Sequence, residues 1–263
     1  MTGTTLTPDQ RADWQAHGWL HLTGLLDDGM VTSFDRWVDE VARWAADAVG
    51  GLHHHEQTEH GPALARSECF ADEHAELGRF IRGPRLGHVL EQVLGEPAVL
   101  FKEKINYKHP GGAGFAPHQD ATAYRFVDHH VSVMVPLDAA TVASGCLWFA
   151  PGHHDGSLPT DDRGRITEAV ASQLAWRPVE VAPGDVVMFD SYTPHYSDSN
   201  TTGRSRRALY LTYNAGSRGD FRDRYYADKQ AEFDREGQTF GDQRVRMSIS
   251  DDFLGRPVET ADG

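Results

Sequence analysis

Apolar positions in the first hundred residues recur at helical spacing, and those after residue 98 recur at strand spacing. Val31, Phe34, Val38, Val41 and Ala45 fall three or four residues apart, which puts them on one stripe of a helix. That helix is predicted to begin after Asp27 or Asp28. Before it, Thr7-Pro8-Asp9-Gln10 reads as a helix start. Thr7 caps, Pro8 takes the first helical position, and Gln10 completes a capping box. Gly18 ends that helix, and Trp19–Leu22 is a short strand. Two further helices are predicted over 73–81 and 84–94, with Gly95 as the stop signal. The stretch 50–66 reads as a loop. It holds His53, His54, His55 and His60. A His-rich tract can bind metal, but one without Cys or a fixed spacing reads as surface loop, or as a lid over a site.

Strands are predicted over 99–107, 131–137, 145–150, 179–181, 186–189 and 207–213. Glycine- and proline-rich turns separate them at Gly111–Gly114, Pro151-Gly152 and Pro183-Gly184-Asp185. Short strands between such turns indicate a sandwich or barrel. Helices come first and strands later, so the expected class is α+β with a mainly antiparallel sheet. No internal repeat or composition break divides the chain. One domain is expected over 1–263: a mostly helical flank over 1–97, a strand-rich core over 98–215, and an extension over 216–263 packed on the outside.

Composition narrows the function. With 263 residues, 39% hydrophobic and 24% charged, the chain has the make-up of a globular protein with a sizeable core. A net charge of −14 argues against binding nucleic acid or an anionic membrane. It is compatible with a cationic small substrate, although acidic surfaces more often serve solubility. No apolar run has the length of a membrane span, and no basic region followed by an apolar core opens the chain. Cys69 and Cys146 are too few for a disulfide scaffold and read as buried small apolar residues. A cytoplasmic location is therefore expected. The oligomeric state is left open.

The chemistry gathers at Ala116-Pro117-His118-Gln119-Asp120. On an extended strand, residues two apart share a face, so His118 and Asp120 project side by side. Together they make two thirds of a two-His-one-carboxylate site, the arrangement that holds non-heme Fe(II) with positions left open. His153-His154-Asp155 has the same spacing but sits in a turn, where alternation does not hold. Of the other histidines, His195 is the best third ligand. It lies just past a strand, is followed by Ser197, and precedes Arg206. A 2-oxo acid can chelate two open iron positions. Its far carboxylate needs a cation, and the guanidinium fork of arginine suits it. On spacing alone Arg204, Arg206 and Arg207 compete for that role.

Three stretches resemble the phytanoyl-CoA dioxygenase-like branch of the Fe(II)/2-oxoglutarate oxygenases: KEKINYKHPGGAGFAPHQD over 102–120, SGCLWFAPGHH over 144–154, and PGDVVMFDSYTPHYSDSNTTGRSRRALYLTYN over 183–214. The first hundred residues match only in character. The resemblance implies a double-stranded β-helix (jelly roll) with flanking helices. It implies Fe(II), 2-oxoglutarate and O2, with His118, Asp120 and His195 as iron ligands. Arg206 takes the 2-oxoglutarate anchor position, and Ser197 is the hydroxyl partner of the same carboxylate. Asn106 resembles an asparagine that touches 2-oxoglutarate. Lys102 and Lys104 share its strand face and so reach substrate or cosubstrate. Tyr124 falls where relatives have a pocket aromatic. The turn at Pro151–His154 is read as structural.

The implied reaction oxidises an unactivated C–H bond of a polar small molecule, by hydroxylation or oxidative cyclisation. Asp120 fills the place that is small in halide-transferring relatives, so halogenation is not expected. Tailoring of antibiotic sugars is the first substrate reading, and catabolic hydroxylation of an aminoalkyl phosphonate is the alternative. Tyr192, Tyr196, Tyr213, Asp190, His129 and His130 are further candidates for polar pocket contacts. Two other classes compete: a metal-free jelly-roll binding protein, and a cupin-like hydrolase or isomerase. Intact His118, Asp120, His195 and Arg206 oppose the first. Arg206 and Ser197 oppose the second, since a water-activating site needs no dicarboxylate anchor.

Overall fold

The structure is a computed structural model that describes residues 4–47, 49–58, 61–123, 127–236, 238–240 and 243–247. In chain order the elements are α1 (Pro8–His17), β1 (Trp19–Leu22), α2 (Asp28–Asp47), β2 (Leu52–Thr58), β3 (Gly61–Glu68), α3 (Ala75–Ile81), α4 (Pro84–Leu94), β4 (Ala98–Lys108), β5 (Phe115–His118), β6 (Val131–Pro136), β7 (Leu147–Phe149), α5 (Glu168–Ala171), β8 (Arg177–Val179), β9 (Val186–Asp190), β10 (His195–Ser197), β11 (Arg206–Ala215), α6 (Arg222–Glu236), β12 (Gln238–Phe240) and β13 (Gln243–Met247). Strands order as β1-β9-β6-β11-β4-β3-β2-β13-β12 in a large sheet and β5-β10-β7-β8 in a small one. The pairings are antiparallel except β13 with β2. This is the expected double-stranded β-helix with flanking helices.

Alternation along the strands of the large sheet separates two environments. Ile105, Tyr107, Val131, Val133, Val135, Leu209 and Leu211 face outward. They pack against Phe34, Val38 and Val41 of α2 and against Leu77, Leu86 and Val89 of α3 and α4 in one apolar core. The intervening positions face the small sheet. At one end Met134, Val187, Phe189 and Ala208 meet Leu147, Phe149 and Val179 in a second core. At the other end the inward positions are polar: Lys102, Lys104, Asn106, Lys108, Ser132, Arg206, Tyr210 and Thr212 line a pocket between the sheets.

The capping box at Thr7 and Gln10 and the stop at Gly18 (φ 79°) form as predicted. Residues 50–66 do not form a loop. Most of the stretch is the β2–β3 hairpin, with His54↔Arg66 and Glu56↔Ala63 in register. The histidine tract misled because His is neutral in strand preference, whereas burial decides the matter. His53 and His54 are buried, and His53 Nδ1 pairs with Ser67 Oγ at 3.0 Å. His60 lies outside the described residues. His195, expected just past a strand, is the first residue of the next one, β10. The strand predicted at 179–181 ends at Val179, and Val181 forms only a bridge to Ala140.

Within the extension, α6 packs on the barrel through both an apolar cluster, in which Tyr225 and Tyr226 meet Leu52 and Phe101, and buried charge. From α6, Arg222 donates to both carboxylate oxygens of Glu103, which is fully buried, and Nη2 reaches Oε1 at 2.9 Å. Glu103 also accepts from the Phe70 and Ala71 backbone N–H groups. One helical turn and more further on, Lys229 Nζ meets Glu68 at 2.9 Å. Arg222→Ala strands the Glu103 charge without its cation. We expect a loss of about 3–5 kcal/mol in the unfolding free energy, read from urea denaturation. A loss under about 1 kcal/mol would show that the pair is dispensable.

Candidate active site

Asp120 is not on a strand. β5 ends at His118, and Asp120 opens a short 3-10 turn over Asp120–Thr122. The expected side-by-side projection of His118 and Asp120 survives, but the turn directs the carboxylate. Pairing of β10 with β5 sets His195 opposite His118, with ring centroids 4.2 Å apart. The Nε2 atoms of His118 and His195 lie 3.6 and 3.8 Å from Asp120 Oδ1. The three residues are a group whose ligand atoms all fall within 4.8 Å of one another.

Each of the three side chains is aimed by a second contact. His118 Nδ1–H donates to the Ala116 carbonyl at 2.7 Å, and His195 Nδ1–H donates to the Thr193 carbonyl at 2.9 Å. Both Nε2 lone pairs are therefore turned to the centre, as metal-binding histidines require. Burial pushes His195 down to about 4, and the adjacent His118 adds to the effect, so its ring is neutral and free to ligate. Ser132 Oγ donates to Asp120 Oδ2 at 2.9 Å, which leaves Oδ1 for the metal. Burial opposes the Asp120 charge, but the two imidazoles hold its carboxyl well below the usual range. Gln119, between the ligands, points the other way. It is fully buried, its Nε2 donates to Gly156 O at 2.9 Å and its Oε1 accepts from Leu158 N at 2.7 Å. It thus pins the 151–158 turn, which is scaffold as expected. His153 and His154 supply no metal ligand among the described residues.

The competing arginines separate. Arg207 points to the other face, where it pairs with Asp35, Asp39 and Asp138. Arg204 is exposed and lines no part of the pocket. Arg206 is 4% exposed and lines the pocket. Its Nη2 donates to Gly145 O at 3.0 Å, while Nε and Nη1 are buried with no hydrogen-bond partner among the described residues. A buried guanidinium with two idle donors is costly unless an anion meets it. Ser197, also buried, lies beside it in the pocket lining. The far carboxylate of 2-oxoglutarate fits this end.

Asn106 Oδ1 accepts from Arg66 Nε at 3.1 Å. Lys104 Nζ sits 5.3 Å from the Tyr210 ring centre. Burial lowers Lys102 to about 8, against the pull of Asp120. Burial, together with the Arg66 and Lys102 charges, pushes Lys104 well below its usual value. Of the other polar candidates only Tyr196 lines the pocket, stacked on Trp148 at 5.6 Å. His129 and Asp190 pair with each other at 2.9 Å, Tyr192 donates to Asp128, and Tyr213 donates to the Ile81 carbonyl. Tyr124 lies outside the described residues. Burial raises the Cys69 and Cys146 thiols to about 12 and about 11, so neither is a nucleophile. Sequence reading missed Arg66, Ser132 and Lys108. Strand alternation was the signal for Lys108, which continues the row Lys102, Lys104, Asn106. Arg66 and Ser132 carry no local signal, since only sheet pairing brings them to the site.

A double-stranded β-helix that gathers a facial triad, with a buried guanidinium holding two idle donors in the same pocket, defines a non-heme iron, 2-oxoglutarate-dependent dioxygenase. The chain belongs to the phytanoyl-CoA dioxygenase (PhyH) family, whose model matches residues 14–208. It is 41% identical to methylphosphonate hydroxylase of Gimesia maris, over 97% of this chain and 98% of that one. It is 38% identical to a 2-aminoethylphosphonate dioxygenase from an uncultured bacterium, over 96% and 98%. The fold is that of EctD from S. alaskensis, crystallised with 2-oxoglutarate and 5-hydroxyectoine (TM-score 0.70, 23% identity, 81% of this chain and 77% of that one). It is also that of the epimerase SnoN (TM-score 0.67, 23% identity, 79% and 82%). Fe(II), 2-oxoglutarate and O2 are the cofactor and cosubstrates of the reaction. No helix among the described residues is long and apolar enough to cross a membrane.

Ser132→Ala removes the bond that aims Asp120 without touching a ligand atom. We expect metal affinity to fall about 10- to 100-fold, measured by titrating Fe(II) or Mn(II) anaerobically, with the melting temperature little changed. Affinity equal to wild type would show that Ser132 does not orient the carboxylate.

Proposed function

We propose that the protein hydroxylates a small organophosphonate. His118, Asp120 and His195 hold Fe(II). Arg206 and Ser197 take the far carboxylate of 2-oxoglutarate, with Asn106 on the strand face beside it. The observation that carries the reading is a second cationic group in the same pocket. Arg66, Lys102 and Lys104 line its Asp120 end, with Arg66 also paired to buried Glu68 at 3.4 Å. On β4, Lys102 and Lys108 are six residues apart, roughly 20 Å at strand rise. The pocket therefore has two positive poles. One suits the cosubstrate carboxylate, and the other suits a compact dianion near the metal. A neutral sugar has no use for three cations, whereas a phosphonate group does. The two relatives of greatest identity given above act on phosphonates by name, which favours this reading over antibiotic-sugar tailoring, the first expectation from sequence.

When bound, iron with 2-oxoglutarate and O2 supplies the oxidant for an unactivated C–H bond. The chain's own residues do the placing. Lys102, Lys104 and Arg66 hold the charged head of the substrate. The short carbon chain is thereby kept within reach of the triad, and Phe189 and Leu147 in the lining keep water out. Orientation of this kind is a large part of what such a protein contributes to rate. The ligand Asp120 keeps halide off the metal, so the product in high chloride carries oxygen and no chlorine.

The test is succinate formation coupled to methylphosphonate or 2-aminoethylphosphonate, with product mass. A product one oxygen heavier than substrate is expected. Lys102→Met should raise KM for the phosphonate by about tenfold or more while uncoupled succinate formation persists. Arg206→Ala should raise the 2-oxoglutarate requirement, at a cost of about 2–5 kcal/mol, and Arg204→Ala should not. No stimulation by any short phosphonate would overturn the substrate reading.

A further inference from the structure

Lys108 closes the row of inward cations on β4, and the site as described so far leaves it without a task. It is 7% exposed and lines the pocket. In the β4–β11 ladder it stands directly opposite Arg206. Its ammonium donates to Ser197 Oγ at 3.0 Å and to the Asp198 carbonyl. An ammonium has three donors, so one N–H is left for the pocket. A serine hydroxyl has one proton. Since Ser197 Oγ accepts from Lys108, that proton is released to donate elsewhere, and the pocket is where Ser197 is exposed to a ligand. Gly145 closes the arrangement. Its carbonyl accepts from Arg206, its φ is 76°, and a Cβ there would run into the backbone carbonyl of Asp198 and lie 2.7 Å from Lys108 Nζ. Only glycine lets the loop before β7 sit over both cations.

We propose that Lys108 is a second cationic anchor for the far carboxylate of 2-oxoglutarate, acting beside Arg206 and through the Ser197 hydroxyl that it polarises. The inference rests on the placement of the cosubstrate at the Arg206 end. Two buried cations facing each other across one ladder repel, and a carboxylate between them removes that repulsion. The charged and titratable groups that face Lys108 are Arg206 from β11, Asp198 after β10, Cys146 before β7 and Glu56 from β2. Burial and Arg206 push the ammonium down, Asp198 and the others pull it up, and the outcome is about 7. Below that pH Lys108 is already charged when the cosubstrate arrives. Above it, binding must bring a proton with it. Affinity for 2-oxoglutarate therefore falls as pH rises through neutrality, and binding takes up protons.

The test is calorimetric titration of 2-oxoglutarate into the zinc-loaded protein, which binds without turning over because zinc has no redox chemistry. Oxalate serves as the control. It chelates the metal but has no far carboxylate. Lys108→Met should weaken 2-oxoglutarate about ten- to a hundredfold and leave oxalate within about twofold. Heats compared in two buffers at about pH 8 should show proton uptake in wild type and none in the variant. Equal weakening of both ligands would mean a structural role only. Unchanged 2-oxoglutarate affinity, or unchanged proton uptake, would overturn the proposal. Arg206→Ala separates the two ideas. If it weakens 2-oxoglutarate and Lys108→Met does not, only the Lys108 proposal falls. If neither variant weakens it, the cosubstrate does not bind at this end.

Discussion

The antiparallel pairing of β4 with β11 is the constraint on which the site depends. Its register puts Lys102 opposite Thr212, Lys104 opposite Tyr210, Asn106 opposite Ala208 and Lys108 opposite Arg206. A slip of one residue would turn every one of these side chains to the helical face and bring Ile105, Leu209 and Leu211 into the pocket. The outer core prevents that slip, because those same apolar residues are buried beneath α2, α3 and α4. Stability of the outer face and chemistry of the inner face are thus two readings of one alternation.

Electrostatics then decide what the pocket accepts. The whole chain carries −14, yet the lining gathers Arg66, Lys102, Lys104, Lys108 and Arg206 against two carboxylates, Asp120 and Glu56, with Arg66 also paired to buried Glu68. Desolvation lowers the lysines, and the cations repel one another. Anionic ligands relieve both effects. The acidity of the chain as a whole says nothing of this, because screening confines each surface charge to about 10 Å or less at ordinary salt. Net charge is therefore no guide to the charge of the ligand that this pocket takes.

The parts of the molecule that could be read from sequence were those set by local rules. The Thr7 cap, the α2 stripe and most strands after 98 follow from spacing and turn chemistry. The gathering of His118 and His195 and the inward run Lys102, Lys104, Asn106 follow from alternation joined to a resemblance. What escaped was fixed by distant partners. The β2–β3 hairpin lacks a strong apolar pattern of its own, and its buried polar residues find their partners across the sheet. Ser132 and Arg66 look like ordinary strand residues until β6 and β3 are laid beside their neighbours. Asp120 was expected on a strand because the turn that carries it has no glycine or proline to announce it.

The clasp of α6 also has a consequence for the order of assembly. Glu103 lies on the outward face of the strand whose inward face lines the pocket, and its charged partner Arg222 arrives more than a hundred residues later in the chain. Lys229, later still, reaches Glu68 at the end of β3. During synthesis the strands that line the pocket emerge before either cation. Until α6 follows, Glu103 faces burial without a countercharge, so the central strand has reason to stay wet and loosely docked. Neutralisation of that strand's outer face thus waits on α6, the last helix among the described residues.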